Sequence, residues 1–137
     1  MKITYLDSLE GVSAEMLAGF FVGWPNPPSP ETHLHLLQGS SAMILAVDED
    51  EGRVVGFITA LSDGVLTAFI PLLEVLPTYE GQGIGRHLVE RMLARLKHLY
   101  SIDLVCDEEL IDFYEGLGFQ RGRAMLRRNY PNQAGMV

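Results

Sequence analysis

Gly81, Gly83 and Gly85 alternate within Tyr79-Glu80-Gly81-Gln82-Gly83-Ile84-Gly85-Arg86, after an apolar stretch and at the head of a long amphipathic run. Glycines at that spacing let consecutive backbone N–H groups converge on one anion, and the positive end of a helix adds to the attraction. The pattern describes a phosphate cradle, although such glycines also build plain connecting turns. Two familiar phosphate loops fit it poorly. There is no Gly-Lys-Ser/Thr, and the dinucleotide pattern would want a glycine where Leu88 stands. Asp103 and Asp107 lie near the offset of a ribose-binding acid, but too few residues follow them for the remaining units of a dinucleotide fold.

Other reactive side chains form no comparable group. His33 and His35 are two positions apart on an expected helix, so they face different ways and make no metal pair; no metal is expected. Cys106, the single cysteine, ends an apolar strand and reads as a packed thiol rather than a nucleophile. Trp24 suits either the wall of an acceptor pocket or the edge of the core. Asp48 to Glu51 reads as a solvated hairpin tip.

The elements that must position the cradle follow from patterning. Lys2 to Leu6 reads as a strand, and Ser13 to Phe21 as a helix capped by Ser13. Four prolines between Gly23 and Pro30 make a stiff loop before a second helix, Glu31 to Gln38. Ala42 to Val47, Arg53 to Leu61 and Val65 to Val75 then form an antiparallel meander. Pro71 falls inside the last of these, where its missing N–H predicts a bulge or a parting from a neighbour, a natural opening for a ligand. Apolar residues from Ile84 to Leu99 recur at helical spacing. Ile102 to Cys106 reads as a strand, Asp107 as a helix cap, Glu108 to Gly116 as a helix, and Ala124 to Tyr130 as a closing strand. The order describes one α/β domain over residues 1–137, an α+β mixed sheet.

Composition bounds the function. The chain has 137 residues, 47% of them apolar and 20% charged, which suits one water-soluble globular domain. The formal charge of -8 repels a phosphate backbone, so nucleic acid is not expected as a partner. Charge is divided unevenly. Eleven acids and two bases precede Arg86, a net of -9; seven acids and eight bases follow from Arg86 onward, a net of +1. One cysteine, no signal-like N-terminus and no long uncharged apolar run lead to the expectation of a cytoplasmic protein with no membrane segment.

The stretch Val75-Leu76-Pro77-Thr78-Tyr79-Glu80-Gly81-Gln82-Gly83-Ile84-Gly85, with Phe113-Tyr114-Glu115-Gly116-Leu117-Gly118-Phe119 about thirty residues later, resembles the two signature motifs of the GNAT acyltransferase superfamily. The element order resembles that family over essentially the whole chain. The resemblance implies a GNAT-like fold with a splayed central strand pair, acetyl-CoA as cosubstrate and a primary amine as acceptor. It implies that backbone groups of Leu73 and Val75 hold the pantetheine arm and acetyl carbonyl, and that Gly81 through Arg86 receive the pyrophosphate. Asp107 falls where family members often carry an asparagine that touches the cofactor arm. Tyr114 matches the residue that commonly protonates the departing CoA thiolate. Glu80 departs from the pattern, standing where Arg or Gln is usual, and is expected to face solvent.

The chemistry suits these residue types. Attack of an amine on a thioester develops an oxyanion that a backbone N–H such as that of Val75 can stabilise, and the leaving thiolate needs a proton. A phenol such as Tyr114 can supply one; a core aromatic is the plain reading of the same residue. The ammonium must lose a proton before attack, and Glu74, alternating with Leu73 and Val75, is the candidate base or else a solvated strand carboxylate. The acidic first half favours a cationic small-molecule or peptide amine. A non-catalytic acyl-CoA-binding regulatory module is the alternative, and by analogy with relatives the chain can be a homodimer.

Overall fold

Two strands buried on both faces anchor the fold: β2 (Ala42–Asp48) and β3 (Arg53–Ser62). Their side chains alternate between two packing layers, as the pleat requires. Gly56 faces one layer, where Leu88 Cδ1 and Ile84 Cγ2 lie 3.1 and 3.2 Å from the point its Cβ would occupy. Those residues belong to α2 (Ile84–Arg95), which is seated closely on the sheet because residue 56 has no side chain. Phe57 faces the other layer, with His33, Phe20 and Phe21 at ring-centroid distances of 4.3, 5.1 and 6.0 Å.

The computed structural model describes residues 1–136, so Val137, the last residue of the expected domain, lies outside the described residues. β1 (Ile3–Leu6), β2 and β3 pair antiparallel in sequence. β4 (Thr67–Ile70) pairs with the end of β3, and β6 (Ser101–Leu104) lies parallel to β4 at the edge. β5 (Leu73–Val75) pairs with β3 at residues 56–58. α1 (Pro30–Gln38) is capped by Ser29, whose hydroxyl accepts the N–H of Thr32 at 3.1 Å, with proline at the first helical position. A 3-10 turn, Glu108–Leu110, leads into the short α3 (Ile111–Glu115). Among the described residues, the mixed α/β sheet of six strands with three α-helices agrees with the fold class expected from the residues. No described helix is long and apolar enough to cross a membrane.

Several local expectations are corrected. The helix expected over Ser13 to Phe21 is only a 3-10 turn, Ala14–Leu17, and the Ser13 side chain caps nothing. Gly19 and Phe21 adopt positive φ, +94° and +63°, which no right-handed helix can absorb. Val65 to Val75 is two strands, because Pro71 ends the pairing of β4 with β6 and the chain resumes on β3 alone. Asp107 stands at the cap position, yet its side chain accepts no capping bond. The strand expected over Ala124 to Tyr130 does not form: residues 120–129 are exposed and unpaired, and a 3-10 turn, Tyr130–Asn132, follows. That segment is tied at Arg121 to Glu115 and at Gln133 to the N–H of Asn26, and it joins no strand pairing.

The acidic hairpin tip is also not wholly solvated. Asp48 is 3% exposed and accepts the Tyr79 hydroxyl at 2.6 Å together with the N–H groups of Asp50 and Glu51. The Tyr79 bond is the main cause holding its carboxyl below the usual range, against the opposing effect of burial. The bond pins the turn before the glycines to the β2–β3 hairpin.

Candidate active site

The parting of β5 from β6 opens a cleft of about 590 Å³, bounded by Leu73, Glu74 and Val75 on one side and Leu104, Val105, Cys106 and Asp107 on the other. Hydrogen-bond alternation decides what β5 offers it. Thr59 N–H donates to Leu72 O at 3.0 Å and Leu76 N–H to Val55 O at 2.8 Å, so the even-numbered residues of this strand turn their backbone groups toward β3. Leu73 and Val75, opposite Ile58 and Gly56, therefore direct theirs away from β3 and toward the open side. The backbone edge assigned to an extended ligand arm is thus free to pair.

The glycine segment follows β5 through a 3-10 turn, Pro77–Tyr79. Gly81 and Gly83 hold φ of +77° and +82°, a region that L side chains rarely adopt, and Gly83 is the cap of α2. The first N–H groups of that helix have no partner within it, and the earliest bond is from His87 N–H to Gly83 O. Gly85 is informative in another way. A Cβ there would meet Val75 Cγ2 at 3.7 Å and Phe113 Cζ at 3.9 Å, which is ordinary contact, so the packing of the chain itself does not demand glycine. Absence of that methyl leaves the N–H groups of the first turn open to close approach by a ligand. Unpaired N–H donors, a helix start and a missing Cβ fit the pyrophosphate of a CoA thioester.

Arg86 is half exposed and lies 3.8 Å from Glu90, while the Ile84 side chain is buried in the core. Gln82 is exposed. Glu80 is exposed, as expected, and sits on the rim of the cleft.

Tyr114 comes from α3 and lines the cleft at 7% exposure, wedged edge-on between Phe113 and Phe119 at 5.0 and 5.6 Å. Burial, with a smaller effect from Cys106, pushes its phenol up to about 12. The tyrosine is therefore both a packed aromatic and a cleft residue. Cys106 lies two residues beyond the end of β6 rather than ending the strand, half buried and packed against the core on the same wall.

Glu74 is not a free carboxylate. Oε1 accepts the N–H of Phe21 at 2.8 Å and Oε2 that of Val22 at 3.2 Å, which fastens the loop after the first 3-10 turn to β5. Val22 and Trp24 reach the cleft from that loop. Trp24 is 37% exposed, packs on Phe21 at 4.8 Å and lines the cleft with its free face. Val22, Leu126 and Arg128 also line the cleft, and nothing in their local sequence pattern marks a loop or a tail that reaches a strand split. His33 and His35 do face differently: His33 is buried and His35 exposed. Burial among the aromatic rings pulls His33 down to about 4.

A family model described as "Acetyltransferase (GNAT) family" matches residues 9–119. The chain belongs to the GNAT acetyltransferase family. A crystal structure of a protein from Deinococcus radiodurans R1, assigned as an acetyltransferase, superposes with a TM-score of 0.96 at 48% identity, covering 98% of this chain and 94% of that one. Among curated GNAT relatives, the chloroplastic GCN5-related N-acetyltransferase 2 of Arabidopsis thaliana is 36% identical over 74 residues, 53% of this chain and 29% of its own length. A histone acetyltransferase of Glycine max is 30% identical over 112 residues, 72% of this chain and 47% of its own length. The chain thus spans less than half the length of these two curated GNAT proteins.

Proposed function

We propose that the chain transfers an acetyl group from acetyl-CoA to a primary amine by direct attack in a ternary complex. The observation that carries this reading is the open backbone edge of β5 lying between the glycine cradle and Tyr114. Acetyl-CoA supplies an activated acyl thioester. The residues of this chain bind, orient and move protons around it.

N–H groups of Gly81 through Arg86 hold the pyrophosphate, with the positive end of α2 behind them. Leu73 and Val75 pair with the pantetheine amides as a neighbouring strand would, and the Val75 N–H points where the thioester carbonyl gains negative charge. Asp107 faces the same arm from the opposite wall. Tyr114 is the proton donor to the thiolate. With its phenol raised to about 12 it is always loaded, and it parts with the proton only as the C–S bond breaks and charge collects on sulfur.

Glu74 has two tasks in this reading. Its bonds to Phe21 and Val22 position the acceptor loop, and the remaining lone pairs take the ammonium proton directly or through water. A rim carrying Glu74 and Glu80 beside Trp24 suits a cationic amine with an apolar body, a small molecule or a peptide side chain. Calorimetric titration with acetyl-CoA, CoA and NAD in parallel tests the binding half of the proposal. Saturable heat from both CoA species and none from NAD is expected; heat from NAD alone, or from none of the three, contradicts it.

A further inference from the structure

The glycine segment is held from its two ends and by nothing between them. Tyr79 closes the 3-10 turn two residues before Gly81, and its hydroxyl donates to Asp48 Oδ2 at 2.6 Å. Its own N–H donates to Leu76 O at 2.8 Å, so main chain and side chain are both tied. Beyond it the ties stop. Glu80, Gly81 and Gln82 are exposed, the N–H groups of Gly81 and Gln82 have no backbone partner among the described residues, and nothing lies within 4 Å of the point a Gly81 Cβ would occupy. The next firm point is Ile84, buried in the core at the start of α2.

Asp48 is a rigid anchor for the near end. It is the last residue of β2, opposite Ile3 of β1 on one side and Arg53 of β3 on the other. Its Oδ1 already accepts the N–H groups of Asp50 at 3.0 Å and Glu51 at 3.3 Å, which fixes the carboxylate with Oδ2 left for one donor. The Tyr79 bond is the main cause raising that phenol above its usual value, as it is the main cause lowering Asp48. Glycine backbone loses the most freedom on ordering, so a segment containing Gly81 and Gly83 meets an anion cheaply only when something outside it sets its shape beforehand.

We infer that Tyr79 is a positioning residue for the cosubstrate, a role that rests on the CoA reading proposed above: held by Asp48, it sets the entry of the glycine segment before the ligand arrives. The diphosphate then meets N–H groups already in place. Tyr79 touches no reacting atom, and its effect is confined to the part of the ligand that lies on the glycines.

Tyr79→Phe removes the hydroxyl and keeps the ring packed against the core. Acetyl-CoA is titrated by calorimetry, and S-acetylpantetheine, which has the arm and acetyl group without the diphosphate, by NMR shift, each into the full-length wild type and the variant. The acetyl-CoA Kd should rise about tenfold while that of S-acetylpantetheine stays within about twofold, because only the diphosphate site loses its preorganisation. A general weakening of the fold would instead affect both ligands alike. Nitrogen-15 relaxation reads the cause: order parameters of residues 80–82 should fall in the free variant and recover when acetyl-CoA saturates it. Tight wild-type binding that Tyr79→Phe leaves unchanged, or equal losses for the two ligands, overturns the role of Tyr79 and leaves the CoA reading standing. A wild type that binds neither ligand removes both.

Discussion

The carboxylate of Glu74 accepts the backbone N–H of Phe21 at 2.8 Å, across 53 positions of sequence. Phe21 is the one described non-glycine residue with positive φ, at +63°, and left-handed backbone costs such a residue about 1–2 kcal/mol. The bond holds that strained turn against the edge strand of the cleft, and with it Val22 and Trp24. Glu74→Ala should lower stability by about 2 kcal/mol, since hydrogen bonds to a charged group contribute roughly that much. In steady-state kinetics its acceptor KM should rise more than its acetyl-CoA KM. Glu74→Gln separates the two roles: it keeps one carbonyl acceptor, and loss of the low-pH limb of the rate profile would mark the base. Survival of both pH limbs with only the fold weakened would leave Glu74 a positioning residue.

Tyr114→Phe preserves the aromatic packing against Phe113 and Phe119 and removes the proton. A lost general acid costs about 10²–10⁴ in rate, so kcat should fall by that order while acetyl-CoA affinity stays unchanged in calorimetry. Because the folded pKa is raised, the stabilisation of the protonated phenol is complete below pH 10 and is lost as pH climbs through about 12. The native enzyme should therefore show no falling rate limb from Tyr114 between pH 6 and 9. A falling limb in that window that disappears in Tyr114→Phe would contradict the assignment.

Gly85→Ala separates fold from ligand. The position lies in the first turn of α2, where space exists for a methyl and alanine is the better helix former, so the variant should be more stable by about 0.5–1 kcal/mol. The same methyl intrudes on the cradle and should weaken acetyl-CoA binding at least tenfold. Thermal unfolding and titration on one sample check both signs. Gly83→Ala, at φ +82°, should lose stability instead.

His33 makes the fold sensitive to acid. Both ring nitrogens are buried without a partner among the described residues, and burial lowers the folded pKa to about 4 from 6.5. A lowered value means that the unfolded chain takes the proton first, so stability is full above pH 6.5 and declines as pH falls toward 4. At about 1.36 kcal/mol for each unit of pKa, this amounts to roughly 3 kcal/mol. His33→Leu should flatten that decline in denaturant titrations at pH 7 and pH 4.5; an unchanged slope would contradict it.

The sequence was most informative where local chemistry and tertiary structure agree. The run from Ile84 has one apolar face and glycines at its head, so the helix and its start could both be read, and Pro71 marked the point between β4 and β5 where the chain parts from β6. It was least informative where a distant partner decides. Nothing near Glu74 announces that its oxygens belong to Phe21 and Val22, and nothing near Asp48 announces the Tyr79 hydroxyl. Ser13 to Phe21 carries helical spacing, but its apolar residues serve as core anchors around a left-handed turn. Ala124 to Tyr130 has strand composition, yet it joins no strand pairing, and the side chains on either side of it are held elsewhere, Arg121 by Glu115 and Gln133 by the N–H of Asn26. The backbone geometry of the cleft was therefore legible, and the wall formed by the loop and the tail was not.

Release of CoA thiol from acetyl-CoA, followed against a panel of polyamines, arylalkylamines and lysine peptides, tests the central claim most directly. Amine-dependent thiol release matched one-to-one by N-acetylated product in mass spectrometry is the predicted result. Tight acetyl-CoA binding with no thiol release above the amine-free rate, for any amine in the panel, would contradict it and leave a CoA-binding module.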